Sequence, residues 1–443
     1  MKKLSRSQFL QVSIMLFGLF FGAGNLIFPP LLGNMAGKAT FISLLAFSVT
    51  AVVFPVLGAI VVGKTNGLYR VGPTFALVFT TAIYLSIGPG LGIPRAGSVP
   101  FEMAIAPYIP ESFNMNLARL VYTFVFFAIA LAICLRPNKL VERVGKFLTP
   151  ALLLLITFMF FKIVTMDKSV AAPTGEYLTA PLTKGFLAGY DTMDAVAALN
   201  FGFVIAQAIR RFGIDDEKEV TRYEVKAGLV AGNVLFLIYS MLATIGMIGS
   251  AKFAGLENGA QVLTESIKLA LGDFGLVLLA LIFTLACLTT CVGLISSGGE
   301  YFEKLFNDRL SYKTWVCIWT LFSFIMANFG LNKLLEFSVP LLQIIYPVAL
   351  VLIVMGISQS FLNFTRESYL AAAAVSVGLP LVEVMDKTFH LILGPVTRLI
   401  QGLPMYETGL SWLLPTVIVV ALTSLFVKVF VRDVEVEKVR QKY

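Results

Sequence analysis

Four stretches, Ala151–Phe161, Leu229–Met247, Gly275–Leu288 and Val339–Met355, run almost without a polar residue. Each lies inside a segment long enough to cross a bilayer at about 20 residues per helix. The rest of the chain agrees: 58% of its 443 residues are hydrophobic and 14% are charged, too little charge to cover a water-facing surface of this length. In hydrocarbon the backbone must satisfy its own hydrogen bonds, so such segments are helices unless they close into a barrel. The alternating ten-residue strands of a barrel are missing from the sequence. The expected fold class is an all-α polytopic membrane protein with about 12 transmembrane helices. Their approximate bounds are about 8–32, 40–62, 75–100, 117–135, 143–165, 183–209, 225–250, 274–299, 313–329, 334–357, 368–385 and 410–430. No linker or soluble domain interrupts them, so residues 1–443 read as a single membrane transport domain.

The formal charge of +8 raises the question of nucleic acid, and the placement of the basic residues excludes it. They sit in short loops between apolar spans, where they orient the chain. The loops on the N-terminal side hold Lys64/Arg70, Arg136/Lys139/Arg143/Lys146, Arg210/Arg211/Lys218/Arg222/Lys226, Lys304/Arg309/Lys313 and the tail from Lys428. Together they carry about twice the Lys and Arg of the opposite side, which puts both termini in the cytoplasm. Lys2, Lys3 and Arg6 before an apolar run resemble a signal peptide, yet no small-x-small cleavage site follows. The run reads as a retained first helix. Cys287 and Cys291 stand one turn apart as core fillers or, less simply, a metal pair, with no further soft ligand near. His390 is the one histidine, which excludes histidine-based metal sites and triads.

Glycine, proline and polar residues concentrate in two spans. The first contains Gly18-Leu-Phe-Phe-Gly22-Ala23-Gly24-Asn25 and then Pro29-Pro30; the sixth contains Gly185, Gly189-Tyr190-Asp191-Thr192-Met193-Asp194, Asn200 and Gly202. Weak helix formers and polar groups at mid-membrane depth are costly unless they line a cavity. The two segments lie five spans apart, so the second enters from the opposite side, as in a 5+5 inverted repeat with discontinuous helices 1 and 6. Repeat one covers about 7–165 and repeat two about 183–357, with two additional helices at about 368–430. An unwound helix bares N–H groups that hold a carboxylate and C=O groups that hold an ammonium or Na⁺. A zwitterionic amino acid needs both. The plainer alternative for the first span is small-xxx-small packing through Gly18 and Gly22. Between spans seven and eight, Val262, Leu263, Ile267 and Ala270 make one apolar face of a further helix outside the spanning set.

Phe21-Gly-Ala-Gly-Asn-Leu-Ile-Phe-Pro-Pro30, Ile87-Gly-Pro-Gly-Leu-Gly-Ile-Pro-Arg95 and Leu285-Ala-Cys-Leu-Thr-Thr-Cys-Val-Gly293 resemble the branched-chain amino acid transport system II carriers. The resemblance runs over essentially the whole chain. It implies a bacterial cation symporter of the amino acid–polyamine–cation superfamily, with the leucine-transporter fold, that imports leucine, isoleucine and valine by alternating access. It also implies the cytoplasmic (inner) membrane as location, the lipid bilayer as surroundings, Na⁺ as coupling ion, no cofactor and no obligatory protein partner. The implied sodium ligands are the carbonyls of Gly18 and Phe21 with Ala286, Thr289 and Thr290 of the eighth span. The alternative is that both threonines bond back to their own helix. The implied substrate contacts are the N–H groups of Ala23, Gly24 and Asn25 for the carboxylate. The carbonyls of Phe21 and of Gly189, Tyr190, Asp191 and Thr192 take the ammonium, and Tyr190, Met193 and residues near Ile87 wall the side chain. At about 0.8 kcal/mol per methylene, such a wall prefers the three substrates over alanine and separates them poorly.

The sequence departs from the resemblance where sodium-coupled relatives place a gating arginine, because Leu26-Ile27-Phe28-Pro29 has none. Arg95 is the basic residue inside a span; it either pairs with Glu102 or lines the outer vestibule. Asp191 and Asp194 serve function or cap the helix beside them. Span five carries no charge between Leu148 and Phe161, where proton-coupled relatives have a lysine, which favours Na⁺. The alternatives are an H⁺-coupled symporter of the same substrates or a carrier of other small neutral amino acids. The chain is not read as an enzyme, since the motifs of intramembrane hydrolysis are missing. A channel would show a filter or a ring of charge.

Overall fold

Helix α7 (Met115–Cys134) shows what the surroundings of this molecule must be. Leu117, Leu120, Val121, Phe124, Val125 and Ile129 follow helical spacing and are all exposed, while Thr123, Phe126, Phe127 and Ala130 on the other face are buried. Holding six large apolar side chains in water costs on the order of 10 kcal/mol. In lipid the cost vanishes, and the polar Thr123 is the group that needs shelter. Its hydroxyl donates to Arg119 O at 2.8 Å. The outward face is built for hydrocarbon.

The computed structural model describes residues 3–65, 73–110, 112–135, 140–390 and 394–430, and among these every regular element is helical. The first part of the chain gives α1 (Arg6–Phe20), α2 (Ala23–Ala36), α3 (Thr40–Ser48), α4 (Phe54–Thr65), α5 (Pro73–Leu85) and α6 (Gly92–Ala104) before α7. After it come α8 (Leu140–Val164), α9 (Pro181–Ala188), α10 (Asp194–Arg211), α11 (Glu217–Ile248) and α12 (Gly259–Leu305). The chain ends with α13 (Tyr312–Ala327), α14 (Leu331–Leu362), α15 (Arg366–Lys387), α16 (Pro395–Gln401) and α17 (Leu413–Phe430). Helix runs through every stretch expected to span. Among the described residues seven segments are long and apolar enough to cross a membrane, and three shorter apolar helices accompany them. The loop charges at Arg70, Arg136 and Lys139 and the tail beyond residue 430 lie outside the described residues, as does the side chain of Asn200.

Helix α12 is two helices joined at Gly272, which takes φ 60° and ψ −155°. This left-handed backbone is open to glycine at little cost. The segment before it is the extra helix expected outside the spans: Val262, Leu263 and Ile267 are fully buried and Ala270 is half-buried.

Contacts sort the chain into two compact units, Met1–Gly63 with Thr80–Val339, and Lys64–Phe79 with Pro340–Tyr443. In the first unit α2 packs on α11 with backbone against backbone. A Cβ on Gly33 would stand 1.9 Å from Ala243 O, and one on Gly246 would stand 2.0 Å from Pro30 O. Only hydrogen fits at either place. In the second unit α15 packs on α17, and the buried carboxylate of Glu383 accepts from Lys387 Nζ at 3.0 Å and Ser411 Oγ at 2.6 Å.

Candidate substrate and ion site

The first interruption separates α1 from α2 by two residues. Phe21 (φ −79°, ψ 89°) and Gly22 (φ −118°, ψ −164°) leave the helical region, and α2 starts at Ala23. A continuous helix would bond Gly22 N–H to Gly18 O. Here Gly22 N–H donates instead to Asn25 Oδ1 at 2.9 Å, which releases the Gly18 carbonyl from its helical partner. Ala23, Gly24 and Asn25 form the first turn of α2, whose N–H groups have no intrahelical acceptor. All three are buried, so a ligand or a neighbouring side chain must meet them.

The second interruption lies between α9 and α10. Gly189–Thr192 form one tight 3₁₀ turn, and Met193 follows in the left-handed region at φ 68°, ψ 2°. Thr192 steadies the turn by donating to Gly189 O at 2.9 Å. Gly189 is held against the second span: a Cβ there would stand 1.9 Å from Thr50 Oγ1. Thr50 sits in a π-helical turn, Val49–Val53, and its hydroxyl donates to Phe186 O at 2.7 Å. Such bulges free backbone groups and recur at functional sites.

Asn25 joins the two interruptions. Its Nδ2 donates to Asp194 Oδ2 at 2.6 Å and to the Tyr239 hydroxyl, which in turn donates to Asp194 Oδ2 at 3.0 Å. With Oδ1 on Gly22, each donor and one acceptor site of the amide is used. Asp194 thus ties α10 to α2 and α11 and does not cap its own helix with its side chain.

A third interruption, not expected from the sequence, divides the third span. Ser86–Gly90 is a π turn in which Gly88 is non-helical (φ −82°, ψ −120°), and Leu91 (φ −135°, ψ −54°) opens α6. Its signal was present in Gly88-Pro89-Gly90-Leu91-Gly92. Ile87, taken as wall, is buried within this turn. The bend carries Arg95 to the two other interruptions. Arg95 Nη2 donates to Asp191 O at 2.6 Å, and the guanidinium lies 5.0 Å over the Phe28 ring. A Cβ on Gly24 would be 2.6 Å from Arg95 Nη2 and 3.3 Å from Asp191 O.

The expected pair of Arg95 with Glu102 is replaced by another. Glu102 meets Arg119 at 3.7 Å, and Arg119 lies 5.4 Å over the Phe101 ring. Seven residues of helix rise about 10 Å, too far for side chains pointing to different depths to meet. Arg95 is 2% exposed and meets the second interruption through Asp191 O. Asp191 O, expected to receive an ammonium, here receives the guanidinium.

Of the expected ion ligands, Thr290 faces the first interruption: a Cβ on Gly22 would stand 3.3 Å from its Cγ2 and 3.8 Å from its Oγ1. Both threonine hydroxyls also donate to Ala286 O, Thr289 at 2.7 Å and Thr290 at 3.3 Å. A hydroxyl bonded in this way keeps lone pairs for a cation. Tyr190 and Met193 are buried beside the second interruption. Tyr239, Thr50 and Phe28 are site residues that the sequence reading passed over. Tyr239 lies inside an apolar run without glycine or proline beside it, whereas Phe28 precedes Pro29 and Thr50 precedes Pro55, and nothing in the sequence assigns either side chain a contact.

A family model described as branched-chain amino acid transport protein matches residues 5–430. The chain belongs to this family. It is 36% identical over 440 residues to a branched-chain amino acid permease of Lactobacillus delbrueckii subsp. lactis, covering 96% of this chain and 98% of that protein. It is 39% identical over 419 residues to a permease of Bacillus subtilis, covering 92% of each. A branched-chain amino acid transport system 2 carrier protein of Pseudomonas aeruginosa is 38% identical, with 93% and 94% covered. Family and relatives are transport proteins of the membrane, not enzymes. Among solved structures, a manganese transporter mutant of Eremococcus coleocola superposes with a TM-score of 0.56 at 14% identity, covering 96% of this chain and 98% of that one. A nucleobase-cation-symport-1 family transporter gives 0.50 at 13% identity, covering 97% and 94%. These two share the leucine-transporter fold, which is the fold of this chain.

Proposed function

We propose that the protein is a secondary symporter that brings leucine, isoleucine and valine into the bacterial cell together with Na⁺, by alternating access. The observation that carries the reading is the meeting of two helix interruptions through Asn25 and Asp194, each baring backbone groups in a buried place. The carboxylate is received at the first turn of α2, and the ammonium at carbonyls of the two interruptions. Tyr190 and Met193 wall the side chain. The names of the relatives supply the substrate class: permeases and a carrier of branched-chain amino acids. Sodium is assigned to the carbonyls of Gly18 and Phe21 with Ala286, Thr289 and Thr290. The redirected Gly22 N–H and the approach of Thr290 to Gly22 support it, because neutral oxygens suit a monovalent cation that must also leave. The transport domain is taken as a 5+5 inverted repeat plus two helices, in the cytoplasmic membrane with both termini inside.

Proton coupling is the second reading. The observation that favours it is Glu224 on α11, which is 3% exposed and whose two carboxylate oxygens are buried with no hydrogen-bond partner among the described residues. Uptake of labelled leucine into proteoliposomes separates the two. A sodium gradient alone, with the proton gradient collapsed, is expected to drive accumulation. Absence of uptake there, with uptake restored by an inward proton gradient, would overturn the sodium assignment.

A further inference from the structure

Arg95 places a full positive charge where the backbone already supplies a partial one. The first turn of α2 carries the positive end of that helix, equivalent to roughly half a charge. The guanidinium stands directly over this turn, with Nη2 2.6 Å from the position of a Gly24 Cβ. Two positive features pressed together in a buried place repel each other unless an anion lies between or beside them.

The donors of Arg95 are also incompletely used. Nη2 donates to Asp191 O, whereas Nη1 is buried and has no hydrogen-bond partner among the described residues. Asp191 and Asp194 are the acidic groups whose charges act on it, yet neither forms an ion pair with it among the described residues. Asp194 Oδ2 is already engaged by Asn25 and Tyr239. A buried guanidinium N–H calls for an acceptor, and the local chain does not supply one. A carboxylate brought by a ligand does so while also reaching the N–H groups of Ala23, Gly24 and Asn25.

We propose that Arg95 binds the carboxylate of the transported amino acid through Nη1, together with the first turn of α2. The assignment rests on the reading of the protein as an amino acid carrier. The planar fork suits this role better than an ammonium would, since it holds a peptide carbonyl with one nitrogen and a carboxylate with the other. The Phe28 ring, its centroid 5.0 Å from the guanidinium carbon, adds a cation–π contact that helps fix the position of the fork.

The test compares leucine with leucinamide, which keeps the ammonium and the side chain but has no carboxylate. Half-saturation of each is measured in detergent at fixed NaCl by ligand-induced thermal shift, on the wild type, R95Q and R95K. The wild type is expected to prefer leucine by at least about tenfold, the worth of a charged hydrogen bond. In R95Q the ratio falls towards one through loss of leucine affinity, and R95K lies between. Should R95Q not fold, R95K decides, because it keeps the buried cation and loses only the fork. An unchanged ratio in the folded variants overturns the assignment. So does a rise in leucinamide affinity alone, which would make the guanidinium a resident substitute for the ligand's ammonium. No leucine binding by the wild type would instead sink the amino acid reading itself, which keeps the two failures apart.

Discussion

The two interruptions that meet at Asn25 are made by opposite means. Between α1 and α2 the chain steps out of the helix through two residues in ordinary regions of backbone space, and a side chain of the next turn takes the freed N–H. Between α9 and α10 the chain tightens into a 3₁₀ turn and leaves through Met193, a non-glycine residue at φ 68°. The first costs little conformational energy and depends on hydrogen bonds. The second stores strain of about 1–3 kcal/mol and depends on neighbours that hold it, chiefly Thr50 against Gly189. Backbone groups can therefore be bared inside a membrane protein either by capping or by clamping, and the two routes respond to different substitutions.

The largest effect is expected at the residue both routes share. Asn25→Ala removes three hydrogen bonds, the cap of Gly22 and the amide's bonds to Asp194 and Tyr239, and leaves of that network only the Tyr239–Asp194 bond; this should cost about 3–5 kcal/mol and abolish transport. Thermal unfolding in detergent measures it, and a loss below about 1 kcal/mol would show that the amide is not the joint. Gly189→Ala should come next, near 3 kcal/mol, because the added carbon would meet Thr50 Oγ1 and Phe47 O. If pairing it with Thr50→Ala, which removes that hydroxyl oxygen, recovers nothing, the clamp lies elsewhere. Met193→Val places a β-branched side chain in the left-handed region and should cost about 2 kcal/mol. Gly22→Ala in the first interruption, at φ −118°, should stay within about 1 kcal/mol. Equal losses in these two variants would erase the contrast. The smallest change in stability is expected for Thr289→Ala with Thr290→Ala. That pair should raise the sodium concentration for half-maximal leucine uptake several-fold while protein yield holds. An unaltered sodium response removes both residues from the ion site.

These differences bear on what a sequence can disclose. The interruptions at residues 21–22 and 189–193 were legible because glycine, proline and polar residues crowd there against an apolar background. The outer helix before Gly272 was legible because its apolar residues recur at helical spacing in a segment too polar to span. The third interruption carried similar letters, Gly88-Pro89-Gly90, but it sits within a stretch whose apolar length fits one continuous span, and length prevailed. On a straight helix Arg95 has two places open to it, a pair with Glu102 or the outer vestibule; beyond the bend it donates to Asp191 O, and Glu102 meets Arg119. The π turn at Val49–Val53 contains neither glycine nor proline itself, and its signal lies two residues on: Pro55 has no N–H for Ala51 O and its ring crowds that carbonyl. What the sequence does not disclose is the use made of the opening, the seat of Thr50 on Phe186 O and beside Gly189. Tyr239 was hidden for a related reason: its ring belongs to an apolar run, and only its hydroxyl reaches Asp194.

The contact of α2 with α11 limits how the molecule can work. Gly33 and Gly246 bring the two backbones so close that sliding either helix by a fraction of a turn would drive a carbonyl oxygen into an α-carbon. Tyr239 on α11 fastens the same pair again through Asn25. In the proposed alternating access these two helices ride in the same carriage, and the pivot has to be sought in the joints that flank them.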